Sequence, residues 1–258
     1  VIHIACRDLH KRFMLKRVLK GVNLIVNPGE TLVIMGQSGC GKSVLLKHVV
    51  GLIAPDRGHI YIDGEDITHF RTKKLFEMRM RFGMVFQGAA LFDSLTVAEN
   101  VGLAIREHTN KSENEVDEIC EQKLHMVGLS DIGDKRPAEL SGGMRKRVGF
   151  ARAIAMEPEC ILYDEPTTGL DPIMADVINN LIIKLNDELE ITSVVVTHDL
   201  ASAYKVGDRI AMLHDGRIIF IGTPDEVRNT DNETVRQFVE GSAEGPIRTG
   251  NQPDGGLK

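Results

Sequence analysis

The 258-residue sequence has no run of about 18 apolar residues, so nothing in it reads as a transmembrane helix. It has no C-x-x-C. Cys6, Cys40, Cys120 and Cys160 are scattered, which argues against a disulfide framework or a cysteine metal site and makes a reducing compartment the expectation. Positive charge is not in excess: the net charge of −6 argues against a non-specific nucleic-acid binder, while leaving room for a local basic patch. Residues 1–8 lack the basic start, apolar core and small-residue cleavage site of a secretory signal, and the absence of an initial Met makes processing or trimming the expectation. The remaining composition, 42% hydrophobic and 26% charged, is that of an ordinary globular protein of one large domain or two small ones.

What is present is Gly36-Gln37-Ser38-Gly39-Cys40-Gly41-Lys42-Ser43, which fits G-x-x-x-x-G-K-[ST]. An apolar strand pattern, residues 31–35, precedes it. A helix pattern that begins at Val44 and runs to residue 50 follows. Glycines let successive backbone N–H groups turn toward one point, and a helix N-terminus adds partial positive charge there, so the stretch is suited to cradle phosphates. Lys42 would reach the β- and γ-phosphates and Ser43 would hold Mg²⁺. A plain glycine turn before a helix satisfies the same pattern, so the rest of the chain has to decide. Cys40 is either an alkylation-sensitive thiol or simply a tolerated small residue.

Three more strand patterns end in polar residues. Residues 82–86 lead to Gln87, residues 160–163 lead to Asp164 and Glu165, and residues 191–196 lead to Thr197 and His198. In α/β proteins ligands sit at the carboxyl ends of buried strands. Asp164 fits a Walker-B acid for Mg²⁺ and Glu165 is placed to polarise a water. Gln87 would touch the metal or the water, or be plain surface. His198 would contact the γ-phosphate. Upstream, Phe13 either stacks on a purine or fills the core; the residues alone leave both open.

Between residues 88 and 158 the pattern is helical, with a capping box at Ser112–Glu115 and a helix opening at Ser141-Gly142-Gly143. Ser141 is an N-cap in the simplest reading, but the same three residues make a second anion nest. After Asp171, an apolar stripe of Met174, Val177, Ile178, Leu181, Ile182, Leu185 and Leu189 reads as a core-facing helix. Residues 209–214 and 217–221 form a hairpin around Asp215-Gly216. Residues 241–258, rich in Gly and Pro, are expected to be disordered alone, or to order on a partner.

These motifs, in this order, resemble the nucleotide-binding subunit of ABC transporters over almost the whole chain. The resemblance rests on the P-loop, Gln87, Leu140-Ser141-Gly142-Gly143, Asp164-Glu165, Asp171 and His198. Met144 departs from it, standing where the family has Gln. The resemblance implies an α/β P-loop NTPase core of RecA type with an antiparallel β-subdomain and an inserted α-helical subdomain. It divides the chain into core and β-subdomain over 1–87, helical subdomain over 88–158, core again over 159–238 and a tail over 239–258. Phe13 falls at the family's adenine-stacking aromatic. Gln37, Ser38, Cys40, Val44 and Asp171 join the nucleotide-binding set, and Lys42 and Gln87 join Glu165 and His198 as catalytic.

A finer resemblance, carried by the stretch from Gln87 to Val101, Arg106-Glu107-His108-Thr109, Leu140-Ser141-Gly142-Gly143-Met144 and the stretch from Phe238 to Pro246, is to the Mla/Mce branch, which moves phospholipids between the membranes of a diderm envelope. It implies ATP and Mg²⁺, a second copy of the chain, a permease dimer, a periplasmic Mce-domain protein, in some systems a STAS-domain protein, and a peripheral location on the cytoplasmic face of the inner membrane. The rival readings are an ABC subunit for another solute and a soluble assembly scaffold of iron–sulfur type. DNA-repair and translation ABC proteins need a coiled-coil insertion or a second cassette, and a P-loop kinase has no use for residues 140–143.

Overall fold

The computed structural model describes residues 1–247. In chain order the strands are β1 (Ile4–Phe13), β2 (Lys16–Val26), β3 (Thr31–Met35), β4 (Arg57–Ile62), β5 (Glu65–Asp66), β6 (Phe82–Val85), β7 (Cys160–Asp164), β8 (Thr192–Thr197), β9 (Arg209–His214) and β10 (Arg217–Gly222). The helices are α1 (Lys42–Val49), α2 (Thr72–Arg79), α3 (Val97–His108), α4 (Glu113–Met126), α5 (Gly142–Ile154), α6 (Pro172–Leu189), α7 (Leu200–Val206), α8 (Pro224–Arg228) and α9 (Glu233–Glu240).

β3 is buried at every position, so both its faces must be covered. Side chains alternate along a strand, and here the alternation divides two cores. Val33 and Met35 join one, with α3 to α9. Leu32 and Ile34 join the other, with α1 and the four-stranded sheet β2-β1-β4-β5. Fully buried Leu32, Ile34, Leu45 and Leu46 each stabilise the fold by roughly 1.5–3 kcal/mol of burial. β3 lies third in a six-stranded sheet of order β10-β9-β3-β8-β7-β6. β9, β3, β8, β7 and β6 run parallel; β10 is antiparallel to β9. Parallel strands end at one rim, so the residues after β3, β6, β7 and β8 emerge together.

The segment between β6 and β7 holds α3, α4 and α5. Capping boxes start two of them, Thr96 with Glu99 and Ser112 with Glu115. No helix of the described residues is long and apolar enough to cross a membrane.

Two expectations need correction, and one strand is irregular. β1 is one ten-residue strand. A bulge between Cys6 and Leu9, with Asp8 at φ 49°, breaks the alternation. Gly58 faces it, and a Cβ there would lie 2.2 Å from the Asp8 carbonyl oxygen. Along α6 the stripe is buried at Ile178, Leu181, Ile182 and Leu185, but Val177 is 40% exposed and Met174 half-buried, because the described residues cover the first turns only in part. The start of the Gly-rich tail is ordered: buried Gln237 accepts the Ile247 N–H (2.6 Å) and donates to the carbonyls of Ile247 (3.1 Å) and Ser242 (3.2 Å). Residues 248–258 lie outside the described residues.

Candidate nucleotide-binding and catalytic site

The turn after β3 is built from glycine because no other residue fits. Gly36 has φ 154°, and a Cβ on it would meet the Leu213 carbonyl oxygen at 2.2 Å. Gly41, at φ 112°, ends the loop in a left-handed conformation and starts α1 without any side-chain cap. The first N–H groups of α1 are therefore left for a ligand. Gly39 has no heavy atom within 4 Å of its Cβ position, so the loop is open at that point.

Lys42, only 6% exposed, donates to the carbonyls of Gly36 (2.8 Å) and Gln37 (3.2 Å). Ser43 donates through Oγ to Asp164 Oδ1 at 2.7 Å, linking the loop to the end of β7. Glu165 follows with φ 51°, a left-handed backbone that costs about 1–3 kcal/mol and has to be held by its surroundings. Its N–H donates to the Val196 carbonyl at 2.9 Å. One carboxylate oxygen lies 3.5 Å from Lys42 Nζ; the other accepts from Thr168 Oγ1 (3.1 Å) and from His198 Nδ1 (2.8 Å). A carboxylate only accepts, so Nδ1 carries the ring proton and Nε2 is left for another partner.

These groups meet in one cavity of about 990 Å³. Gln37, Ser38, Gly39, Gly41, Lys42, Ser43 and Val44 line it, with Gln87, Glu165 and His198. Val18 and Phe238 also reach it, and the sequence alone marks neither as a site residue. The donor set fits a nucleoside triphosphate with Mg²⁺: uncapped helix N–H groups and an ammonium for phosphate oxygens, and a hydroxyl, a carboxylate and a carboxamide oxygen of the kind a hard cation takes.

Other expected site residues lie elsewhere. Phe13 is not on the cavity wall; it is 43% exposed at the β1–β2 turn, with the Lys11 ammonium 5.6 Å from its ring centre. Ser141 caps α5 by accepting the Met144 N–H at 3.2 Å. Asp171 caps α6 by accepting the Ile173 and Met174 N–H groups, both at 3.0 Å. The two helix starts pack together, since a Cβ on Gly143 would come within 2.5 Å of Met174 Cε. None of Ser141, Gly142, Gly143 and Asp171 lines its own chain's cavity. At Cys40, burial pushes the thiol pKa up and outweighs the pull of Lys42, which makes it a poor nucleophile.

A glycine loop around a lysine at the head of a helix, facing an acid pair at the end of a parallel strand one place removed in the same sheet, defines a P-loop nucleoside triphosphatase. The sequence pattern of the ABC transporter family matches residues 19–168, and the chain belongs to that family. It is the ATP-hydrolysing subunit of a transporter. The chain is 42% identical to the "Intermembrane phospholipid transport system ATP-binding protein MlaF" of Haemophilus influenzae, over 90% of this chain and 88% of that protein. It is 41% identical to the "Probable ribonucleotide transport ATP-binding protein mkl" of Mycobacterium leprae, over 98% of this chain and 73% of that one. Among solved structures, the fold is similar to the dimeric ATP-binding cassette MJ0796 bound to ADP and Pi. There the TM-score is 0.79 at 35% identity, covering 86% of this chain and 98% of that one.

Proposed function

We propose that this chain drives phospholipid movement between membranes, working as a head-to-tail pair on the cytoplasmic face of an inner membrane beneath a permease dimer. A Mce-domain protein and a STAS-domain protein would complete the assembly. Supporting the cargo is the similarity to proteins named for intermembrane phospholipid transport, at 42% and 40% identity in two organisms. The residues after Gln87 and around Phe238 carry the same resemblance.

The observation that carries the paired arrangement is the separation of Ser141 and Gly143 from their own chain's cavity. Their nest, with Asp171 beside it, sits on a surface that leaves Ile173 (78% exposed) and Val177 uncovered. A second copy turned head to tail covers that surface and lends Ser141 and Gly143 to the γ-phosphate held by Lys42. The similar cassettes solved as dimers agree with this. Phe13, exposed beside the cavity-lining Val18 hairpin, would stack on adenine.

Within the pocket, Lys42 and the α1 N–H groups hold the phosphates. Ser43, Asp164 and Gln87 would hold Mg²⁺, which when bound neutralises charge on the β- and γ-phosphates. Glu165 accepts a proton from the attacking water. His198, with Nδ1–H fixed by Glu165, presents Nε2 toward the transferred phosphoryl. Fixed donors aimed at developing charge supply most of the acceleration. Gln87 leads into the helical segment and so transmits the state of the pocket to the permease.

The test is to purify the chain with its permease, reconstitute the complex and compare hydrolysis with and without phospholipid. The reading predicts phospholipid-stimulated hydrolysis and co-purified phospholipid. Hydrolysis indifferent to phospholipid but raised by ribonucleotides would overturn the cargo assignment.

A further inference from the structure

α5 carries Lys146, Gly149 and Arg152 at three-residue steps, hence on one face, and that face grips the segment that follows β6. Lys146 Nζ donates to the Gln87 carbonyl at 2.5 Å. A Cβ on Gly149 would sit 3.3 Å from the Ala89 Cβ, so the backbones approach closely there. Arg152 donates to the carbonyls of Ala90 and Ala89, both at 2.6 Å. The gripped turn is strained: Ala89 and Ala90 have φ 62° and 47°, a left-handed pair without glycine. Such a pair persists only where its surroundings over-determine it.

Lys146 differs from the other two in reaching beyond this segment. Its ammonium also reaches the Glu165 carbonyl, at 3.4 Å. It is 6% exposed, and among the described residues no carboxylate lies within ion-pair distance of it. A buried ammonium held by carbonyls alone is an expensive arrangement for mere packing. Burial lowers its pKa, with the nearby Glu165 charge opposing. The two peptides it joins belong to the residue that reaches the metal and to the residue that takes the proton, and the helix it stands on begins at Ser141.

We propose that Lys146 is a positioning residue for ATP hydrolysis: its ammonium ties the backbone of Gln87 to that of Glu165, so that both side chains are set together and follow the helix whose first turn receives the partner's nucleotide. This rests on the roles given above to Gln87, Glu165 and Ser141. Lys146 touches neither substrate nor metal. It acts by fixing the peptide that carries the base in its left-handed conformation and the Gln87 loop at its mouth. An apolar side chain of the same length keeps the packing and removes the tie.

The experiment uses K146M and K146R in the chain purified with its membrane partner. For each, kcat and KM for ATP are measured, with the rise in thermal midpoint on adding MgATP. The expected result for K146M is a kcat reduced about 10- to 100-fold, as for a small misplacement of reacting groups. KM should stay within about twofold and the MgATP-induced stabilisation should be retained, because ground-state binding is not removed. K146R, which keeps a buried donor, should recover most of kcat. An unchanged kcat in K146M, or a fall that K146R fails to relieve, overturns the proposal. If K146M does not fold, K146Q is judged by the same criteria. Wild type and E165Q run alongside separate the two layers: if E165Q hydrolyses ATP normally, the site reading itself fails, whatever Lys146 does.

Discussion

Glu165 and His198 face each other across the rim of the sheet, with His198 Nδ1 2.8 Å from Glu165 Oε2. Their strands, β7 and β8, are parallel neighbours, so the contact follows from topology. The histidine side chain is 56% exposed whereas the carboxylate is 12% exposed. The acid is thus held in the protein while the imidazole stands toward the cavity.

Replacing that acid tests its role directly. Glu165→Gln keeps the size and a polar contact but cannot take a proton. Steady-state hydrolysis should fall by about 10²- to 10⁴-fold, the usual effect of losing a general base. Titration with a fluorescent ATP analogue should show binding intact. Near-normal turnover would show that another group activates the water.

Ser141→Arg probes the second nest. Ser141 is exposed and lies off its own chain's cavity, so the long cation has room, and the lost cap of α5 costs about 0.5–2 kcal/mol. Hydrolysis should be abolished while nucleotide binding to the isolated chain persists. Parallel loss of both would mean that Ser141 serves its own pocket.

Much of the site is legible in the sequence because its determinants are local. The glycine loop has a fixed spacing, and Gln87, Asp164, Glu165 and His198 each follow a short apolar strand whose parallel neighbours end at the same rim. Lys146 is different. It looks like one more cation in a basic helix, and only tertiary packing buries its ammonium against two carbonyls. Val177 belongs to a periodic stripe, yet what covers a stripe is not encoded in its period. Residues 241–247 have the composition of a disordered tail, and a single glutamine, Gln237, holds them by side-chain-to-backbone bonds that no periodicity announces. The β1 bulge at Asp8 likewise hides a long strand behind a break in alternation.

Gln237→Ala removes all three of those bonds from a residue that is 7% exposed. The buried Ile247 N–H then loses its acceptor, a loss of about 1–3 kcal/mol. Hydrogen exchange should quicken over residues 242–247 with little change in β3 or β8. Unaltered protection there would show that the segment is held by other contacts.

Acid should weaken the junction of β6 and β7. Arg81 donates through Nε and Nη2 to Glu159 at 2.7 and 2.9 Å, and this holds the Glu159 pKa below its ordinary 4.5. The folded pKa is depressed, so the stabilisation is present above pH 4.5 and is lost as pH falls through the folded value. Glu159→Gln should lower the thermal midpoint at pH 7 and make no difference well below pH 4. Equal effects at both would assign the loss to packing, and 0.5 M salt should change little if the bidentate geometry carries the interaction.

The central claim is that each copy completes the other's pocket. Sedimentation velocity on Glu165→Gln, with and without saturating MgATP, tests it most directly. The account predicts a monomer without nucleotide, a dimer with MgATP, and a monomer under both conditions once Ser141→Arg is added. A strictly monomeric Glu165→Gln chain at saturating MgATP, or a dimer indifferent to Ser141→Arg, would contradict it.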